Sequence, residues 1–211
     1  MARISDARLR LMEAARTLIW ENSYGSTSVD SICGKAGVQK GSFYYFFASK
    51  SELATEALEA NWQEKRAVLD EIFSPSRAPL ERLKLYFDDV YRKQSAAMER
   101  CGVVLGCPLF SLGSEVCTQD PAIRGKIQEL LERRMKYFET AVRDAHAEGV
   151  IDAPDARMKA RALFAFCQGL LTQARILNDL TLLKEAKWVA LDLLGVRGAR
   201  EEAEKPTLTT H

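Results

Sequence analysis

Several things are scarce in this chain of 211 residues, and each scarcity removes a class of protein. Histidine occurs only twice, as His146 and His211, so few general bases are on offer. No Ser-His-Asp set, H-E-x-x-H helix, phosphate loop or dinucleotide fingerprint is present, so an enzyme is not expected. The five cysteines, Cys33, Cys101, Cys107, Cys117 and Cys167, form no C-x-x-C pair. With so few histidines, neither a structural zinc site nor any other metal or cofactor is expected, and reduced thiols are the default. No uncharged apolar run approaches the ~20 residues of a membrane span. The opening MARISDARLR is charged and lacks the apolar core of a secretory leader, so a cytoplasmic location is expected. Charge of one sign is also missing: 30 Lys and Arg meet 29 Asp and Glu, a net +1, which at first argues against a nucleic-acid partner.

Proline is absent from the first 74 residues and then punctuates the chain at 75, 79, 108, 121, 154 and 206. Between these points apolar residues recur at helical spacing, and no long stretch alternates with period two. Leu11, Ala15, Leu18 and Ile19 form one stripe; Leu80, Leu83, Phe87, Val90 and Tyr91 form another. The class is all-α, with about nine helices near 5–22, 29–36, 40–46, 50–73, 78–98, 105–117, 121–148, 155–178 and 181–195. Gly25, Gly37 and Gly149 stand where the first, second and seventh should stop, with Gly25 and Gly37 available for left-handed caps. The segment 198–211 is nearly devoid of apolar residues and reads as a disordered tail. LFAFCQGLLTQARIL, residues 163–177, is apolar almost all round, and the ninth segment exceeds a one-sided stripe. Such helices need cover, either from their own domain or, as favoured here, from a second copy across a four-helix interface near 155–195.

Residues 27–47, TSVDSICGKAGVQKGSFYYFF, describe two short helices around a Gly-containing turn, which is a helix-turn-helix pattern. Thr27 or Ser28 is the natural N-cap, and Asp30 nearly completes a capping box. In such a unit the second helix enters the major groove with its first residues at the base edges. That helix carries five consecutive aromatics, Phe43 to Phe47. Successive residues are ~100° apart, so all five cannot face one core. Phe43 and Phe47 share a face and are assigned to the core, as Phe46 would be on its own, while Tyr44 and Tyr45 point outward toward phosphate or base. Lys40 and Ser42 flank them, and Lys50 opens the next helix within reach of a phosphate. On that role Lys50→Ala should flatten the salt dependence of DNA binding by ~0.9 in slope.

Residues 9–53 resemble the DNA-binding domain of the TetR family of transcriptional regulators, above all in Gly41-Ser42-Phe43-Tyr44, Phe46-Phe47 and Lys50. Cys33 stands where that family usually has Ala. The resemblance implies a homodimeric repressor on a palindromic double-stranded DNA operator, released by a small-molecule effector. It implies DNA contacts at Ser28, Lys40, Gly41, Ser42, Tyr44, Tyr45 and Lys50, with Gln39 a base reader. It implies a three-helix head over 1–50, a helical ligand-binding and dimerisation body over 51–197, and a connecting helix over 50–73. The alternative is a helical interaction module without DNA binding, against which the intact Gly41–Lys50 motif stands.

The stretch Gly106-Cys107-Pro108-Leu109 through Glu115 resembles a subgroup in which a cysteine at this place senses electrophiles. Cys107 precedes Pro108 at an apparent helix start, where the dipole favours thiolate. A buried, inert thiol is the alternative. The same resemblance implies a basic residue of the eighth helix near it, for which Arg175 is the candidate. An effector pocket among helices four to eight would be lined by Trp62, Phe87, Tyr91, Phe110, Met135, Phe138, Phe164 and Cys167, although each could be ordinary core. Gln168, Arg175 and Arg134 interrupt the apolar stripes there.

The neutral charge is an average. Residues 1–50 hold seven Lys and Arg against four Asp and Glu, a net +3, while the rest holds 23 against 25, a net −2. The head is basic and the body mildly acidic, which favours docking on DNA through the head.

Overall fold

A computed structural model describes residues 2–196, with side chains from residue 6 onward. The expected tail over 198–211 and the last position of the body lie outside the described residues. Among the described residues there are ten helices and no strand: α1 (Ala2–Glu21), α2 (Val29–Ala36), α3 (Lys40–Phe46), α4 (Lys50–Ile72), α5 (Pro79–Cys101), α6 (Pro108–Val116), α7 (Pro121–Ala147), α8 (Ala156–Leu177), α9 (Thr181–Lys184) and α10 (Ala186–Leu193). The expected ninth helix is two pieces. Glu185, at φ −101° and ψ 7°, interrupts the ladder between α9 and α10.

Local chemistry explains most boundaries. Proline begins α5, α6 and α7, where its missing N–H costs nothing. Ser28 caps α2, its Oγ accepting from the Ser31 N–H at 3.0 Å. Gly37 ends α2 at φ 63° and ψ 41°, a left-handed cap. Asp30 does not complete a capping box: it lies at the second helical position and pairs with Lys40 at 2.9 Å.

The chain divides into two compact units, Met1–Val68 with Cys107–Arg133, and Leu69–Gly106 with Arg134–His211. In the first, α1, α2 and α3 pack on one another around Leu11, Ala15, Ile32, Cys33, Phe43, Phe47 and Leu53. Burial pushes the Cys33 thiol pKa up, with Asp30 adding to the effect and Lys40 opposing it. Arg16 of α1 reaches Glu64 of α4 at 2.6 Å, and α6 packs against α1. In the second unit α8 packs on α9 and α10, and both of these pack on α5. Arg82 is buried there, donating to Asp144 at 2.6 Å and to the carbonyls of Arg77 and Pro75. No helix among the described residues is long and apolar enough to cross a membrane.

Within the first unit Glu59 gathers Arg133 at 2.9 Å, Lys126 at 3.1 Å and Gln63 at 2.7 Å. Burial alone would raise its pKa, but these donors prevail and lower it to about 2. A depressed carboxylate stabilises the fold above its ordinary pKa and loses that contribution as pH falls through the folded value. The urea midpoint of the protein should therefore fall as pH drops from 4.5 toward about 2. Glu59→Gln should remove that part of the pH dependence; an unchanged acid slope in the variant would contradict it.

Candidate nucleic-acid interface and effector site

The recognition helix exposes the side chains expected to touch DNA. Phe43 and Phe47 are buried in the head core, while Tyr44 and Tyr45 are 57% and 73% exposed. Each tyrosine leans edge-on against a neighbouring phenylalanine, Tyr44 on Phe43 at 5.1 Å and Tyr45 on Phe46 at 4.9 Å, which limits its freedom and leaves the hydroxyl outward. Ser28, Gln39, Lys40 and Gly41 are exposed and Ser42 is half-buried. Gln39 is the N-cap residue of α3, yet its side chain makes no capping bond. Lys40 bridges to Asp30, and that hydrogen bond raises its pKa, holding it cationic. Ser28 is committed to capping α2. Gly41 does not have a positive φ, and a Cβ added there would meet nothing within 4 Å. Nothing among the described residues requires glycine at this position, whereas a close approach of DNA backbone would.

Lys50 is half-buried and holds backbone within the head. Its Nζ donates to the Tyr24 carbonyl at 2.8 Å and the Thr27 carbonyl at 2.9 Å, and lies 3.9 Å from the Tyr24 ring centroid. Burial lowers its pKa, while the charge of Glu115 acts the other way. Glu115 holds the same turn from α6. Its carboxylate accepts from the Tyr24 N–H at 2.9 Å and the Gly25 N–H at 2.6 Å. Gly25 therefore does not serve as a left-handed cap: it has no positive φ, and a Cβ there would sit 3.0 Å from the Glu115 oxygen. The turn between α1 and α2 is thus gripped by an anion on its N–H groups and a cation on its carbonyls. The side chain of Glu115, 90 residues from Gly25, was beyond any local pattern in the sequence.

The expected effector residues fall in both units. Trp62, Cys107 and Phe110 belong to the first; Phe87, Tyr91, Met135, Phe138, Phe164, Cys167, Gln168 and Arg175 belong to the second. Trp62 is buried, with the Arg133 guanidinium 6.0 Å from its ring centroid. Cys107 is the N-cap residue of α6 and is buried, as are Phe87, Phe138, Phe164 and Cys167; Phe110, Tyr91 and Met135 are half-buried. The second unit brings Phe138 to 5.3 Å from Phe164 and 4.7 Å from Tyr86, and Tyr86 to 5.9 Å from Phe87. Tyr86, absent from the expected lining, joins that cluster; its place three residues after Leu83 was the available signal.

Arg175 donates to the Leu105 carbonyl at 2.9 Å, and its Cδ lies 3.3 Å from where a Gly106 Cβ would stand. Two buried glutamines in this unit contrast sharply. Gln94 accepts from the N–H groups of Leu105 and Gly106 and donates to the Gly106 carbonyl. Gln168 is 2% exposed, and among the described residues neither its Nε2 nor its Oε1 has a hydrogen-bond partner. An unmet buried polar group of this kind costs about 1–3 kcal/mol.

An exposed recognition helix on a two-helix support, carried by a helical body, defines a helix-turn-helix DNA-binding protein. Residues 11–57 match the family described as bacterial regulatory proteins of the tetR family, and residues 79–189 match the tetracyclin repressor-like C-terminal domain. The chain belongs to the tetR family of DNA-binding transcriptional regulators. It is 31% identical over 174 residues to the transcriptional regulator AcuR of Cereibacter sphaeroides, covering 81% of this chain and 77% of that one. It is 26% identical over 180 residues to the transcriptional repressor DhaR of a Mycobacterium species, covering 83% and 85%. A crystal structure of a regulatory protein TetR from Rhodobacter sphaeroides superposes with a TM-score of 0.76 at 28% identity, covering 87% of this chain and 96% of that one.

Two substitutions separate contact from support. Gly41→Ala should leave the thermal midpoint unchanged or slightly raised, since alanine is the better helix former by about 1 kcal/mol, yet weaken DNA binding at least tenfold. Equal DNA affinity would show that nothing approaches that backbone. Lys50→Met should weaken binding with the slope of log K against log salt unchanged. A slope flatter by about 0.9 would restore the phosphate role.

Proposed function

We propose that the chain is a homodimeric repressor that binds a palindromic operator through two heads and leaves it when a small molecule occupies the body. The outward face of α3 carries the reading: Gln39, Lys40, Gly41, Tyr44 and Tyr45 are exposed over a core of Phe43 and Phe47. Ser42 adds a hydroxyl at the same end. Gln39 reads a base edge, and the tyrosine hydroxyls and Lys40 meet phosphates. The net +3 of the first fifty residues, doubled in a dimer, supplies a salt-sensitive attraction. A cytoplasmic location fits that role.

Large apolar side chains left in water support the dimer. Ile176 and Leu177 at the end of α8 are 75% and 64% exposed, Met158 near its start is 65% exposed, and Leu193 on α10 is 49% exposed. A second copy related by a two-fold axis buries them on itself. The effector site lies in the second unit, among Phe87, Tyr91, Phe138, Phe164, Cys167 and Gln168. Small-molecule control is favoured over electrophile addition because Cys107 is buried, whereas the exposed thiol is Cys101.

Selection of bound fragments from genomic DNA, followed by binding across a salt series, tests the reading. A palindromic site and a steep negative salt slope are expected. A slope near zero would instead favour an interaction module that does not bind DNA. Ile176→Asp should convert the protein to monomer in light scattering and weaken operator binding at least tenfold. A dimer that persists with full affinity would remove α8 from the interface.

A further inference from the structure

Asp30 is the only acidic residue between Glu21 and Glu52. It stands in the first turn of α2, where a carboxylate suits the helix dipole. Its place is also on the surface that the proposed function gives to DNA. The Lys40 ammonium, at the start of α3, lies 2.9 Å from its Oδ1 and 3.1 Å from its Oδ2. Both side chains are more than half exposed. Tyr44, one turn after Lys40, shares that face of α3 and is exposed as well.

An ion pair so open to water contributes little to the fold. Its consequence for DNA is larger. A duplex brings phosphates of the same sign as Asp30, so the carboxylate penalises a docked sequence unless a hydrogen-bond donor meets it. An ionised carboxylate can only accept. The donors in the major groove are the N4 amino group of cytosine and the N6 amino group of adenine. Adenine sets its N7 acceptor beside N6, which turns a lone pair toward the second carboxylate oxygen and suits the amide of Gln39 instead. Cytosine presents N4 without an acceptor beside it on the same base. Lys40 has three N–H groups, enough to hold Asp30 in place and still donate to a phosphate.

We infer that Asp30 reads a cytosine in each half-site, accepting a hydrogen bond from its N4 amino group and disfavouring duplexes that offer no donor there. The inference rests on the DNA-binding reading given above and deepens it by naming a base that the head requires.

Selection from a randomised duplex library by the full chain and by Asp30→Ala provides the test. The selected sequence, and versions of it with each base pair changed singly, are then titrated by fluorescence anisotropy. The parent should select a C·G pair in each half-site, and changing that pair should weaken binding at least tenfold. In Asp30→Ala that loss should shrink to less than about threefold. Discrimination at other positions should persist, and affinity for mixed-sequence duplex should equal or exceed that of the parent. If the alanine variant folds poorly, Asp30→Asn, which keeps the shape, should move the preferred base there from cytosine toward adenine, the base an amide matches. A site lacking the C·G pair, unchanged discrimination at every position in the variants, or an equal loss at all positions would overturn the inference and leave the DNA-binding reading standing. A parent that binds no duplex would overturn both.

Discussion

The turn at Tyr24 and Gly25 is the constraint on which the DNA-binding head depends. Glu115 holds its N–H groups and Lys50 its carbonyls, so the turn lies between two opposite charges that arrive from α6 and α4. Three residues after Gly25 the capping serine starts α2, and the Gly37 corner then sets the start of α3. Thr27, buried, adds its own bond from Oγ1 to the Ser23 carbonyl at 2.6 Å. Moving α6 by even an ångström would pull charge-assisted hydrogen bonds out of line, and these are about twice as strong as neutral ones. A recognition helix of seven residues has little stability of its own, so its position is inherited from this support.

The second unit follows a different logic. Its interior is aromatic around Phe138, and the buried Gln94 and Arg82 have partners built in. The carbonyls and carboxylate around Arg82 let a guanidinium persist inside the unit. Among the described residues of this unit the Gln168 amide and Arg134 Nε are buried without a hydrogen-bond partner, and exceptions of this kind collect at functional sites. The loop ending at Gly106 has φ 70°, and Arg175 lies closely against it, so a side chain at Gly106 would meet both backbone strain and a neighbour.

Much of the fold was legible in the sequence because its signals are local. The Ser28 cap, the Gly37 and Gly149 stops, the helix-starting prolines and the division of labour among Phe43, Tyr44, Tyr45 and Phe47 all depend on neighbours within a turn or two. The break at Glu185 was not, since the helical spacing of apolar residues, Leu183, Ala186 and Ala190, continues across it. What the sequence did not show has one physical cause. Lys50, Gly25 and Glu115 act through partners far away in the chain, and residue type alone cannot tell a lysine aimed at a phosphate from one aimed at two carbonyls. Asp30 was misplaced by a single position, enough to exchange a capping bond for an ion pair with Lys40. The DNA face was easier to read than the effector site because exposure follows from helical periodicity, whereas the state of Gln168 depends on every element packed around it.

The family assignment and the basic head explain why this chain meets DNA; the grip on the Tyr24–Gly25 turn explains how the recognition helix is held for it. Amide hydrogen exchange across the full chain, compared with Glu115→Ala, tests that grip most directly. Tyr24 and Gly25 should be protected in the parent and exposed in the variant, with protection across Lys40–Phe46 falling in parallel. Unchanged protection in α3 after loss of the carboxylate would contradict the account.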